Sequence, residues 1–475
     1  MNTEAVGLIH AKADLFVATL LLGSLLLFKA GRRHGTAGKP ALWLGSLVCY
    51  ALALFTKETA FLYPLLITFL CVRDRRAAAK GPAQTDEAPR GSRREETDPI
   101  LAPKRGVLLF TMTVWLATLL AVAMRLTLTP ASTYASPLPL WERLLTFGTV
   151  YLEYLSKLAI PVHLSVGDTV SRFTALPSAF AMGAVLILAC VVLAQIGAAR
   201  RWPRLRPWIG LYNLSLLPVF QIVPILHFKA DRFLYLPSLA FTGACIEGVL
   251  VWRASATGAR LSPAGSRRVL LLGLLGLAST YACLVIARTR DFRTDETLFQ
   301  NEVSRTPDYR EGLSMLGRGC ERRGEFARSE LYYRRSLEPR PGRISFVNSD
   351  AVVVNLSSAL LAQYHAQEAY EFIQASEARV KGPRSRQELD YNRAVAAFKL
   401  RRFVDALPLF QAYSFAHPKD ARSRFLEGVC AFEQRRDDVA RAALRAYLAL
   451  MPDAPDRQVA LHLLTELDAR TPRSP

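Results

Sequence analysis

The sequence predicts an all-α protein in two parts, a polytopic transmembrane helical domain over residues 1–287 and a helical repeat array over 288–475. Three observations carry that reading. Apolar residues make up 51% of the 475, an ordinary share, yet they gather into membrane-length runs only before residue 287. Of the 60 basic and 40 acidic residues, the tail from Arg288 holds 31 and 26, so the first part holds 29 and 14 and carries 15 of the net +20. Finally, Pro418 and Pro452 stand 34 residues apart, with matching small and large residues before each. The charge counts against nucleic acid as a partner, because a basic domain would gather its excess on one soluble face. A disulfide framework is also disfavoured: Cys49, Cys71, Cys190, Cys245 and Cys283 fall in apolar runs, and Cys320 and Cys430 on helical patterns.

A span needs about 20 mostly apolar residues. The candidates are 14–29, 41–55, 59–72, 107–127, 178–198, 209–226, 234–252 and 269–287. The second and third are short and separated only by Thr56-Lys57-Glu58, which predicts a tight hairpin with charge at the membrane face. A signal peptide fits poorly, since the first run follows Asp14 and several more succeed it. Residues 141–163 begin Trp141-Glu142-Arg143 and contain Glu153, Lys157 and Pro161, and they are predicted as an amphipathic helix in the interface rather than a span.

Lys and Arg in the loops set the orientation. Lys29 to Lys39, nine basic residues from Arg73 to Arg105, Arg200 to Arg206, and Arg253 to Arg268 mark the cytoplasmic side. Residues 74–106, rich in Ala, Pro, Gly and both charges, are then a flexible cytoplasmic linker. The loop 128–177 holds only Arg143, Lys157 and Arg172, and so lies outside with the N-terminus and the tail. The Ala, Leu and Arg bias points to a bacterial inner membrane with a periplasmic tail.

Counting back from Pro418 and Pro452 pairs Ala394 with Gly428, Ala406 with Ala440, and Phe410 with Leu444. A third copy places Gly317, Gly324, Ser329, Tyr333 and Pro341 at the same offsets, and 351–383, with Ala359, Ala369 and Pro383, is a looser one. This is the tetratricopeptide period: small residues where paired helices approach, a large one between neighbouring units. Residues 456–470, with Val459, Leu461, Leu464 and Leu467, are the expected capping helix. Such arrays take proteins or peptides in a concave groove, though the pattern alone assigns no groove residue.

Thr3-Glu4-Ala5-Val6, Lys12-Ala13-Asp14-Leu15, Thr56-Lys57-Glu58 with Pro64, Tyr154 through Pro161-Val162-His163-Leu164-Ser165, Pro218, and Asp231 through Ser238 follow in one order. That ordered set, ahead of a repeat array, resembles the transmembrane and tetratricopeptide-repeat protein O-mannosyltransferases over nearly the whole chain. The resemblance implies a glycosyltransferase membrane fold of the C type. The activity it implies is transfer of a hexose, mannose foremost, from a polyprenyl-phosphate donor to protein hydroxyls, with a divalent metal as an open question. Family members begin with one more helix and an outer loop bearing a catalytic acidic pair. Here Met1 falls near the end of that loop, so the expectation is an N-terminally truncated chain in which enzyme activity itself is uncertain.

The chemistry needs a carboxylate to take the acceptor hydroxyl proton and cations to stabilise the departing lipid phosphate. Glu4 and Asp14 are the remaining acidic candidates; Lys57 and Arg232 suit the phosphate; Glu58, Asp231 and Tyr235 are candidate supports, with each carboxylate beside its cation. The alternatives are plain ones: Lys57 and Arg232 as snorkelling anchors, Asp14 as an N-cap, Tyr235 as part of the aromatic belt, His163 as an ordinary loop residue. At the level of the whole chain, the competing expectation is a non-catalytic membrane scaffold whose repeats recruit periplasmic proteins.

Overall fold

A computed structural model describes residues 12–33, 39–56, 58–79, 105–128, 138–161, 164–167, 169–222, 227–253 and 263–470. Almost every described element is helical, and the chain divides into two compact units, 1–292 with 342–344, and 293–341 with 345–475.

In the first unit, α1 (Lys12–Arg33), α2 (Lys39–Thr56), a 3-10 turn (Glu58–Leu62), α3 (Tyr63–Ala79) and α4 (Arg105–Leu128) form one apolar cluster around Val17, Phe28, Tyr50, Tyr63, Ile67 and Phe110. Hydroxyls bond across its helices: Ser24 Oγ lies 2.8 Å from Ser46 O and 2.7 Å from the Tyr63 hydroxyl, while Ser46 Oγ donates to Ser24 O at 2.7 Å. Small hydroxyl residues that let helices approach and bond across them are what packing in an apolar medium selects.

A second cluster joins α5 (Leu140–Ala159), α6 (Ser178–Arg201), α7 (Arg206–Leu216) and α8 (Tyr235–Arg253) through Phe147, Tyr154, Leu158, Tyr212, Leu216 and Leu234. Three side chains close a ring of hydrogen bonds within it. The Tyr151 hydroxyl donates to Asn213 Oδ1 at 2.9 Å, Asn213 Nδ2 to Gln195 Oε1 at 2.9 Å, and Gln195 Nε2 to the Tyr151 oxygen at 2.8 Å. A final apolar helix, α9, runs Pro263–Asp291.

Among the described residues, three helices are long and apolar enough to cross a membrane: Gly106–Met124, Ser178–Arg201 and Asp231–Val251. No residue of Ser178–Arg201 is buried, and Phe180, Met182, Leu186 and Leu193 are each about two-thirds exposed or more. A helix apolar all round needs an apolar medium. Pro40–Thr56 and Ala60–Val72 are shorter apolar helices. The span expected at 209–226 is not a continuous α-helix over its described part: α7 stops at Leu216 and a 3-10 turn follows over Leu217–Val219. Pro218 removes a backbone donor there, and 11 residues of helix reach only about 16 Å of a ~30 Å hydrocarbon core. The linker expected over 74–106 lies mostly outside the described residues, which omit 80–104.

The second unit is a stack of helix pairs: α10 (Asp295–Arg305), then α11/α12 (Arg310–Arg322, Phe326–Leu337), α13/α14 (Ser349–Ala362, Ala366–Ser376), α15/α16 (Pro383–Lys399, Phe403–Ala416), α17/α18 (Ala421–Glu433, Asp437–Leu450) and α19 (Arg457–Arg470). Equivalent positions bury equivalent residues. Ser329, Ala369, Ala406 and Ala440 are all fully buried, and Tyr333, Ile373, Phe410 and Leu444 fill the gaps beside them. A Cβ on Gly317 would lie 2.6 Å from the Tyr333 ring and one on Gly428 2.7 Å from Leu444 Cγ. These glycines therefore mark helix–helix contact. Each pair turns through a left-handed residue seven places after the small one: Gly324 (φ 76), Tyr364 (φ 63), Arg401 (φ 57) and Arg435 (φ 56).

Two sequence expectations shift here. The small residue of the looser copy is Ser357, fully buried, rather than Ala359, because a short 3-10 turn over Glu377–Arg379 displaces Pro383 by two residues. On α19 it is Ala460 and Leu467 that are buried, while Val459 and Leu461 face outward.

Candidate functional site

Helix α5 opens after Pro139 and ends at Ala159, just before Pro161. Its buried face carries Glu142, Thr146, Tyr154 and Lys157 together with Phe147, Val150, Tyr151 and Leu158. Buried charges survive only when paired, and each has its partner. Glu142 takes a two-pronged bond from Arg172, Nε to Oε1 and Nη2 to Oε2, both at 2.9 Å, and a third from the Thr174 hydroxyl at 2.6 Å. The Arg172 bonds hold the Glu142 carboxyl below the usual range, against the opposing pull of burial.

At the other end of α5, Lys157 Nζ lies 2.8 Å from Asp231 Oδ1 and 3.1 Å from Glu153 Oε1. Burial alone would drive Lys157 toward its neutral form, but Asp231 and Glu153 outweigh it and hold the ammonium above the ordinary lysine range. Asp231 Oδ2 accepts the Ser165 N–H at 2.6 Å, and the Asp231 N–H returns a bond to Ser165 O at 3.3 Å. Next along, Arg232 Nη1 donates to Val166 O at 3.3 Å and its guanidinium sits 5.3 Å from the centre of the Phe233 ring. Lys229 Nζ holds Glu153 at 2.9 and 3.0 Å, and the Tyr154 hydroxyl accepts the Ala230 N–H at 3.0 Å. Segment 164–166 and segment 229–232 are thus cross-bonded over the end of α5, at the head of the apolar helix Asp231–Val251.

Asp231 and Arg232 are brought together here, but not as a pair: the Asp231 carboxylate goes to Lys157 and Ser165. Successive residues of a 3-10 turn point about 120° apart, so neighbours in sequence need not meet. Tyr235 opens α8 half-buried and makes no side-chain hydrogen bond to this group among the described residues. Lys57, Glu4 and His163 lie outside the described residues, and Asp14 and Glu58 are described by backbone alone, in α1 and the 3-10 turn after α2. Lys157, Glu153, Lys229 and Glu142 were not singled out from sequence as site residues. For Glu142 and Lys157 the signal was present as charges on the same helical face as the apolar residues of α5, where a surface helix would keep them apart. Among the described residues, no three His, Cys, Asp or Glu side chains converge so as to hold a metal ion.

These elements define a class: an all-helical chain with membrane-length apolar helices and a buried ion-pair cluster, followed by an α-solenoid. The solenoid is of the tetratricopeptide type, since residues 391–455 match the tetratricopeptide repeat family. Solved structures similar to the chain include YrrB, described as a tetratricopeptide protein with an unusual peptide-binding site. It has 17% identity and a TM-score of 0.30, with 36% of this chain and 82% of that one covered. Another is residues 41 to the end of MamA from Desulfovibrio magneticus RS-1, with 17% identity and a TM-score of 0.28, covering 35% and 98%. No curated protein sequence matches the chain.

Proposed function

We propose that the protein is a membrane glycosyltransferase of the polyprenyl-phosphate-dependent kind, moving a hexose, mannose foremost, to hydroxyls of a protein held by its repeats. The observation that carries this reading is the fixed setting of Arg232. The Asp231–Lys157 pair and the Ser165–Asp231 cross-bonds fix the residue immediately before it, and Arg232 itself bonds Val166 O, at the head of an apolar helix. A guanidinium placed there can offer charge-assisted, two-pronged bonds to a phosphate whose lipid tail lies along apolar helices. Lys57 is the second cation in this proposal, and Glu4 and Asp14 are the carboxylates for the acceptor proton. The resemblance over nearly the whole chain supports the same reading. The array, set outside a bacterial inner membrane, would present protein or peptide substrates.

The test is binding of a polyprenyl phosphate to the full chain in lipid nanodiscs. Arg232→Ala should weaken binding while leaving the melting temperature nearly unchanged, and Arg232→Lys should restore it only in part, because a point charge cannot replace a fork. Binding equal to the parent in both variants would remove the donor site. The second reading, a membrane-anchored scaffold, is favoured by the repeat match over 391–455, and under it partner capture by the array would be intact while no lipid phosphate bound at all.

A further inference from the structure

Ser165 presents an unmet group at this site. The residue is 8% exposed, its N–H and C=O are both committed to Asp231, and its Oγ has no hydrogen-bond partner among the described residues. A buried hydroxyl without a partner is costly, and such groups in folded proteins call for an explanation such as an absent ligand or ion. Its neighbours suggest what the ligand is. Val166, next in sequence, accepts the bond from Arg232, and Asp231, cross-bonded to Ser165, precedes Arg232, so hydroxyl and guanidinium stand one residue apart on two bonded segments.

We infer that the Ser165 hydroxyl is a second donor to the anion held by Arg232, bonding a phosphoryl oxygen while the guanidinium takes the others. This rests on the donor-phosphate reading above and extends it to a residue whose loss has an unusual signature. Removing an unsatisfied hydroxyl should relieve the empty protein, whereas removing a bond to a charged group should weaken the complex. Ser165→Ala is therefore expected to raise the melting temperature of the ligand-free chain while weakening polyprenyl-phosphate binding about tenfold to a hundredfold.

The experiment compares the parent, Ser165→Ala and Arg232→Ala as full chains in nanodiscs, with polyprenyl phosphate, unphosphorylated polyprenol and inorganic phosphate as probes. Support is a Ser165→Ala loss confined to phosphate-bearing probes together with the raised melting temperature. If Ser165→Ala binds the lipid phosphate like the parent while Arg232→Ala does not, the hydroxyl's role is overturned and the donor site stands. If neither variant changes binding, both fall. Inorganic phosphate binding as tightly as the lipid, and equally sensitive to Ser165, would keep the hydroxyl's role and overturn the lipid as the source of the anion.

Discussion

Lys157 and Asp231 stand 74 residues apart in sequence and 2.8 Å apart in space, with side chains 5% and 2% exposed. They bring the end of α5 to the start of α8, yet their dependence on each other is unequal. Lys157 keeps Glu153 at 3.1 Å if Asp231 is lost, whereas Asp231 has Lys157 as its sole salt-bridge partner among the described residues. Stranding one buried charge costs about 3–5 kcal/mol. Lys157→Met should therefore reach that range, Asp231→Asn should cost less, and a Lys157→Met/Asp231→Leu double variant should recover much of the loss. Thermal melts of the three would settle it; equal costs for the two single variants would contradict the asymmetry.

Glu142 gives the matching test by pH. Its folded pKa is depressed, chiefly by the Arg172 bonds, so its contribution is present above the unfolded carboxyl value of about 4.3 and is lost as pH falls through the folded one. The stability gap between parent and Glu142→Gln should be flat from pH 8 to 5 and should close only below about pH 4. A gap shrinking between pH 7 and 5 would mean the carboxyl is not depressed. Lys157 behaves in the opposite sense: its raised pKa makes its contribution complete below about pH 10 and lost only as pH rises above that.

The repeat array was largely legible because its signal is local. Gly317, Ala394 and Gly428 with Tyr333, Phe410 and Leu444 follow from spacing alone, and each pair is buried as the period requires. Where an insertion intervened, counting back from Pro383 landed on Ala359 instead of Ser357. At the site, the Asp231-Arg232 motif was visible but its partner was not, since nothing in the spacing of Lys157 and Asp231 says that they meet. Charges on α5 also invite an outward reading, and only their partners Arg172 and Asp231 make burial tolerable.

Helix contact at the small positions predicts sensitivity to size. Gly428→Leu or Gly317→Leu should destabilise the array by about 1–3 kcal/mol, because an added side chain must displace Leu444 or the Tyr333 ring. Ala394, which already carries a Cβ at the equivalent place in the buried cluster that holds Phe410, should tolerate Ala394→Gly with a smaller loss, near the ~1 kcal/mol of a helical Ala-to-Gly change. Hydrogen exchange over residues 310–337 and 421–450 of the full chain would report it. Unchanged protection in the leucine variants would put the register in error.

The turn residues predict a gain. Arg401 and Arg435 occupy the left-handed region that Gly324 fills at the first pair. A side chain there costs about 1–2 kcal/mol, partly offset by the greater freedom glycine has when unfolded. Arg435→Gly should then stabilise the array by about 0.5–1 kcal/mol, and Gly324→Ala should weaken it by a similar amount. A melting temperature that fell for Arg435→Gly would show that the arginine contributes more through its side chain than the backbone loses.

The bonds of Asp231 also constrain how the chain threads a membrane. Since Asp231 meets Lys157 and Ser165, these three residues lie on one side of any membrane the chain threads, and the chain between Ser165 and Asp231 must cross it an even number of times. The threading that meets this condition leaves through α6 and comes back between Arg206 and Asp231, and α7 packs beside α8, with Gly243 so near the Trp208 ring that a Cβ would come within 2.3 Å. If α8 and α9 each cross once, the end of α9 is expected on the side on which Asp231 began. With Arg200, Arg201, Arg204 and Arg206 around the turn between α6 and α7, the positive-inside rule predicts a cytoplasmic location for it. A reporter fused after Arg204 should therefore be active in the cytoplasm and one fused after Arg290 on the opposite side. Both reporters active on the same side would mean that one of these helices does not cross, and an exchange of the two results would invert the orientation and overturn the proposed outward-facing phosphate site with it.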